Sequence, residues 1–303
     1  ASSAKLRKPS PLRAPSTAGT AFKSTVQGSA MPPQASRSAL KSLAAKGRVF
    51  CRSLPTKASP QGNAKLSPAG APANAVVLPF GLPDLPFHLR IDALSAFFLV
   101  LLGAVSAAIS LFSAGYFRSS EGTPPGLICF QYHVFLAAMA LVLVADDAYA
   151  FMVAWEAMAL ASYFLVTTEH RIPEIRRAGF LYLLIAHVGA IGILLCFGVL
   201  QGGSGDYTFA GMRAATLSPA WASIGFFLAL FGFGAKAGIL PLHVWLPEAH
   251  PAAPSPVSAL MSGVMLKTAI YGLLRVAFDL LQLQLWWWGV VALAFGLVTA
   301  LFG

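Results

Sequence analysis

From residue 93 onward, apolar residues run in blocks about twenty long, and polar residues are confined to short gaps between them. An α-helix needs about 20 apolar residues to cross about 30 Å of hydrocarbon, so each block predicts one transmembrane helix. Seven blocks are read, at 93–117, 127–145, 148–168, 179–200, 221–241, 256–276 and 286–303, the last barely long enough to span. The gaps "RSSEGTPPG", "ADD", "EHRIPEIRR", "QGGSGDYTFAGMRAATLSP", "HVWLPEAHPAAP" and "FDLLQLQ" carry the Gly, Pro, Asp and Ser that turn a chain between helices. The pattern predicts an all-α, polytopic transmembrane helix bundle. It excludes a membrane barrel, whose strands alternate polar and apolar positions over about ten residues.

Residues 1–75 break this pattern. They are rich in Ala, Ser, Pro and Lys/Arg, as in "ASSAKLRKPSPLRAPSTAGTAF", and show no apolar periodicity. Such a segment cannot bury enough surface to offset the entropy of ordering, which predicts a disordered basic arm. Residues 76–126 then read as a linker and the first transmembrane helix.

Composition supports the division. The chain is 57% hydrophobic and 11% charged, with a mean hydropathy of +0.70, whereas soluble domains are about a quarter charged. Residues 1–75 hold 12 Lys/Arg and no Asp or Glu; residues 76–303 hold 9 Lys/Arg against 11 Asp/Glu. Acid-free arms of this kind resemble transit peptides, and basic arms bind anionic lipid or nucleic acid. Apart from Phe22 and Phe50 the arm lacks the aromatics on which bases stack, so no nucleic-acid partner is expected.

Loop charge orients the bundle. Alternate gaps on one side carry Arg118, Arg171, Arg176 and Arg177, and the other side carries Arg90, Arg213 and Arg275. The "EHRIPEIRR" side is expected to be cytoplasmic, because positive loops stay inside. That places the start of the first helix outside, where a 12-charge arm would not stay. The conflict marks the arm as a candidate non-native segment, unless a further helix precedes residue 93.

Three charges lie deep within apolar blocks: Glu156 in "FMVAWEAMALASYFLV", Lys236 in "FLALFGFGAKAGILPL" and Lys267 in "VSALMSGVMLKTAIYGLL". On insertion scales each charge costs about 2.5–3.5 kcal/mol at mid-membrane, so the three must face each other, water or backbone carbonyls. A Glu and a Lys near each other stabilise one another's charged forms, and a proton can pass when the pairing changes. Pro241 removes a backbone donor and clashes with the carbonyl of residue 237, which predicts a helix broken one turn past Lys236. Gly232, Gly234 and Gly238 add local freedom. Irregular backbone at membrane depth is tolerated where it is buried in protein or lines a hydrated cavity.

Other chemistries find less in the residues. His133 and His187 sit at similar depths in two helices that run the same way and could clamp a b-type haem, although neither helix carries a second His. His243, Glu248 and His250 lack the H-E-x-x-H spacing of a zinc helix, so no metal is expected. Cys51, Cys129 and Cys196 are too scattered for a disulfide framework or a C-x-x-C motif. "GFGAK" has the spacing of neither a phosphate-binding loop nor a dinucleotide fingerprint.

The stretches "WEAMALASYFLV", "GAKAGILPLHVWLPEAHPAAPSPVSALMSG" and "LKTAIYGLLR", with "FHLRIDALSAFFLV" before them, resemble the antiporter-like subunits of respiratory complex I, Mrp antiporters and membrane-bound hydrogenases. The resemblance runs over about residues 87–303 and is most specific across 232–275. It implies a five-helix repeat, here residues 127–276, that forms one proton half-channel around a broken helix, with 277–303 beginning a second repeat. By the same resemblance Glu156 is the family's glutamate on the fifth helix, Lys236 the lysine on the broken seventh, and Lys267 the relay lysine on the eighth. His187 is a further candidate relay group. The family's first two helices would precede residue 93 and its second repeat would follow Gly303, so the chain is expected to be a piece of a longer protein.

The implied function is that of a proton-translocating membrane subunit in a redox-driven complex, of hydrogenase or formate hydrogenlyase type or of NADH:quinone oxidoreductase type. Its implied setting is a bacterial cytoplasmic membrane, with other membrane and peripheral subunits as partners and no redox cofactor of its own. Two rivals are a Na⁺/H⁺ antiporter subunit and a membrane anchor whose buried charges only hold helices together.

Overall fold

The computed structural model describes residues 75–117 and 124–302. The basic arm and the gap at 118–123 lie outside the described residues.

The described chain opens with an element that the apolar blocks did not announce. Strands β1 (Ala75–Leu82) and β2 (Leu85–Arg90) pair antiparallel, from Ala75 opposite Arg90 to Leu82 opposite Leu85, with an irregularity between Leu78 and Gly81. Pro83 and Asp84 make the two-residue turn. At Gly81 φ is +125°, a conformation that glycine alone adopts freely. The linker read at 76–92 is therefore a hairpin, and the all-α expectation holds from residue 93 onward.

Helices follow: α1 (Ala93–Tyr116), α2 (Pro125–Val144), α3 (Ala148–Val166), α4 (Pro173–Leu200), the short α5 (Phe209–Ala214) and α6 (Pro219–Ala237). A 3-10 turn (Leu242–Trp245) leads into α7 (Leu246–Ala252), and α8 (Ser255–Leu260) joins α9 (Leu266–Leu274) through a π-helical turn, Met261–Met265. A second π-helical turn, Arg275–Leu280, closes that span before α10 (Trp286–Phe302). Six helical stretches among the described residues are long and apolar enough to cross a membrane, two of them the composite spans Pro219–Ala252 and Ser255–Leu280. The seventh predicted span, α10, has 17 residues and falls short.

Helix starts follow the local chemistry. Asp92 caps α1 by accepting from Ser95 N at 2.9 Å, and Asp147 caps α3 by accepting from Ala150 N at 2.6 Å. Proline fills the first helical turn of α2, α4 and α6, where its missing N–H removes nothing. Gaps read as connections are partly helical: α4 starts at Pro173 inside "EHRIPEIRR", α5 lies inside "QGGSGDYTFAGMRAATLSP", and α7 occupies much of "HVWLPEAHPAAP". Pro247 lies in the first turn of α7, which is how a Pro-rich segment still winds.

The core sits where α3, α4, α6 and the α8–α9 span meet. Phe151 stacks on Trp155 with centroids 5.7 Å apart, and Phe233 of α6 meets both edge-on at 5.9 and 5.4 Å. Glycine does something other than loosen the chain here. A Cβ on Gly232 would lie 2.7 Å from the Gly189 carbonyl oxygen and 2.9 Å from Ile193 N, so α4 and α6 touch backbone to backbone. Small residues permit such contact in membranes, where lipid supplies no hydrophobic drive between helices. Gly232→Ala is expected to destabilise the bundle by about 1–3 kcal/mol through overpacking. A lowered unfolding midpoint in detergent is the measurement that checks it.

Ionic groups gather at one end of the bundle. Arg90 of β2 reaches Asp146 at 2.9 Å, Arg213 of α5 reaches Asp279 at 2.8 Å and Asp146 at 3.1 Å, and Arg275 reaches Asp92 at 2.5 Å and Asp279 at 2.9 Å. The hairpin joins the same end, where Asp146 N donates to His88 O at 2.8 Å and His88 N to the Asp147 carboxylate at 2.7 Å. Burial raises the Asp92 carboxyl, but hydrogen bonds from the Arg275 side chain and Ser95 N outweigh it and hold the group well below the usual range. Asp147, 0% exposed, is shifted the other way by its burial. All three arginines counted on this side are thus matched by aspartates.

Candidate functional site

Helix α6 ends because Gly238 adopts φ +79°, the left-handed cap that glycine favours, with Ile239 N closing back onto Gly234 O at 2.9 Å. The helix therefore stops before Pro241, which instead opens the 3-10 turn. The indole N–H of Trp245 donates to Ala235 O at 2.8 Å, so a side chain from beyond the break satisfies a carbonyl of the last turn before it. Leu240 N finds the Thr299 hydroxyl of α10 at 3.1 Å. The interruption is buried at Gly238 and Trp245 and reaches the surface at Pro241 and Val244.

Lys236 lies in that last turn, 2% exposed. Its ammonium donates to the Tyr182 hydroxyl of α4 at 2.5 Å and stands 4.6 Å from the centroid of that ring. The same hydroxyl is 2.5 Å from Ser162 Oγ of α3 and 3.6 Å from Met265 Sδ in the π turn, and the tyrosine ring packs on Trp245 at 5.0 Å. The lysine is thus bound by two neutral hydroxyl groups in series.

Glu156 is turned to another partner. Its Oε2 lies 3.4 Å from His187 Nε2, with side chains 32% and 48% exposed respectively. Among the described residues it forms no ion pair with Lys236, yet it is within electrostatic reach of both Lys236 and Tyr182. His187 Nδ1 is 2.9 Å from Leu183 O, and a carbonyl can only accept, so Nδ1 carries a proton. The Nε2 side then faces the carboxylate, and the pair can hold one further proton on either member.

Lys267 is exposed and donates to Ser262 O at 2.5 Å, within the π turn, so its charge rests on a backbone carbonyl. The structure brings together Lys236, Tyr182 and Ser162 by hydrogen bonds and Glu156 with His187 at 3.4 Å; Lys267 shares neither contact with these groups among the described residues. His133 Nδ1 sits 2.7 Å from Cys129 O on its own helix. His250 Nδ1 meets Ser258 Oγ at 2.8 Å, and His243 Nδ1 is buried with no hydrogen-bond partner.

Tyr182 and Ser162 are absent from the sequence-derived set. A signal for them exists: a tyrosine in mid-span buries a hydroxyl that needs a partner, and "FLYLLIAHVG" places one near His187. The sequence does not say which helix supplies that partner.

A family model described as NADH:quinone oxidoreductase/Mrp antiporter, TM, matches residues 145–303, more than half the chain. The chain belongs to this family. Residues 78–124 also match the model for the N-terminus of NADH-ubiquinone oxidoreductase (complex I), chain 5. Hydrogenase-4 component B of Escherichia coli is 47% identical over 228 residues, covering 74% of this chain and 33% of that protein. Formate hydrogenlyase subunit 3 of the same organism is 30% identical over 72% of this chain and 34% of that protein. Among solved structures, the Mrp complex from Dietzia sp. DQ12-45-1b matches with TM-score 0.62 and 25% identity over 70% of this chain and 24% of that one. The chain spans about a third of the length of these curated relatives. Membership and the six spans make it an antiporter-like, multi-pass integral membrane protein.

Proposed function

We propose that the chain carries one proton half-channel and serves as the proton-translocating subunit of a redox-driven membrane complex, of hydrogenase-4 or formate hydrogenlyase type or of NADH:quinone oxidoreductase type. Lys236 is the proton-carrying centre, Glu156 with His187 is the group that exchanges a proton with it, and Lys267 passes the proton onward. The observation that carries the reading is a lysine ammonium buried in the bundle core, at a helix break, held by a neutral hydroxyl with a carboxylate in reach but turned to His187.

A permanently paired lysine would be a lock. Here the ammonium and the carboxylate each have an alternative partner, Tyr182 for one and His187 for the other, so separating and rejoining them does not strand a bare charge in the membrane. That two-position arrangement is what a proton carrier needs, because the acidity of each group depends on whether its opposite charge is near.

The structural-anchor reading is separated from this by Glu156→Gln combined with Lys236→Met in vesicles holding the protein in its native assembly. A channel is expected to keep assembly and lose proton transfer; an anchor keeps both. The likeness to the Mrp complex supports a second reading, Na⁺/H⁺ exchange, and sodium dependence of transport in the same vesicles decides between them.

A further inference from the structure

We infer that Tyr182 is a positioning residue for Lys236, one that holds the ammonium away from Glu156 and closes one direction to its proton; the inference rests on the proton-transfer reading above. The direction of each hydrogen bond carries it. Ser162 Oγ has two backbone acceptors for its proton, Met158 O at 2.7 Å and Ala159 O at 2.9 Å. We assign that proton to the two carbonyls, which makes the tyrosine the donor in its 2.5 Å contact with Ser162. Its oxygen is left to accept from Lys236 Nζ, and Met265 Sδ at 3.6 Å is a weak second acceptor.

The chain therefore runs from Lys236 to Tyr182 to Ser162 and ends on the backbone of α3. A proton handed to Tyr182 has no group beyond Ser162 to receive it, so this route is a dead end. The ammonium is anchored through one N–H and exchanges through the other two. The titratable groups in its surroundings are Tyr182 itself on α4 and Glu156 on α3, the latter with His187. Tyr182 acts as the resting partner and leaves exchange to the carboxylate side. A ring packed on Trp245 and a hydroxyl fixed by Ser162 keep the anchor in place.

Proton uptake against pH, in vesicles holding the full chain in its native assembly, tests this. Tyr182→Phe keeps the ring and removes the hydroxyl, and is expected to displace the pH profile of uptake by about one unit. Ser162→Ala, which removes the group that fixes the hydroxyl, is expected to displace it in the same sense by less. A Tyr182→Phe profile that overlays the unsubstituted one, with Lys236→Ala inactive, overturns the inference and leaves the proton-transfer reading standing. Near-normal uptake by Lys236→Ala overturns both. If Tyr182→Phe fails to assemble, the Ser162→Ala profile decides alone: displaced supports the anchor, unchanged overturns it.

Discussion

Lys236→Ala is expected to lower proton uptake in reconstituted vesicles at least about a hundredfold, the lower end of what a positioned proton-transfer group contributes. The substitution removes the one buried ammonium among the described residues and leaves Tyr182 without its donor. Lys236→Arg is the sharper probe. It keeps the positive charge and a donor for Tyr182, but a guanidinium does not release its proton in proteins. A site that needs only charge to hold helices together tolerates arginine; a site that must load and unload a proton does not. Uptake by Lys236→Arg at the level of the unsubstituted protein would falsify the carrier role.

Arg275→Met is expected to destabilise the bundle by about 3–5 kcal/mol, the penalty for removing one partner of a buried ion pair. The Arg275 side chain is 5% exposed, and its guanidinium serves Asp92, Asp279, Ser95 Oγ and Tyr271 Oη at 2.5 to 3.0 Å. Without it Asp92 keeps only the Ser95 N–H and Arg90 at 3.4 Å, and two buried hydroxyls lose their strongest donor. Arg213→Met, at a site 22% exposed where water can replace the lost partner, is expected to cost less. Unfolding midpoints of the two variants in detergent check the order; an unshifted midpoint for Arg275→Met contradicts the clasp.

The helical spans were legible because membrane thickness imposes a length on every apolar block, whatever the tertiary arrangement. The hairpin at Ala75–Arg90 was not, since "AVVLPFGLPDLPFHLR" is short, rich in Pro and next to a polar arm, and its pairing with the α2–α3 turn is long-range. Helix α7 was obscured by its prolines, Pro247 in the first turn and Pro251 inside the helix, which read as turn signals. At the site, burial cost picked out Glu156, Lys236 and Lys267 from sequence alone. What spacing could not resolve was pairing. Glu156 faces His187 on the same side as α4's exposed residues, while Lys236 turns inward to Tyr182, and that choice is made by how α3, α4 and α6 pack.

The backbone contact between Gly189 and Gly232 divides the molecule mechanically. It sits one turn before Lys236 on α6 and two turns past Tyr182 on α4, so both ends of the lysine–tyrosine bond are mounted on one stiff chassis. Helix sliding cannot break that bond without first separating the two backbones. Beyond Gly238 the chain is held by different means, single hydrogen bonds from Trp245 to Ala235 and from Leu240 to Thr299 in place of a backbone-to-backbone seam.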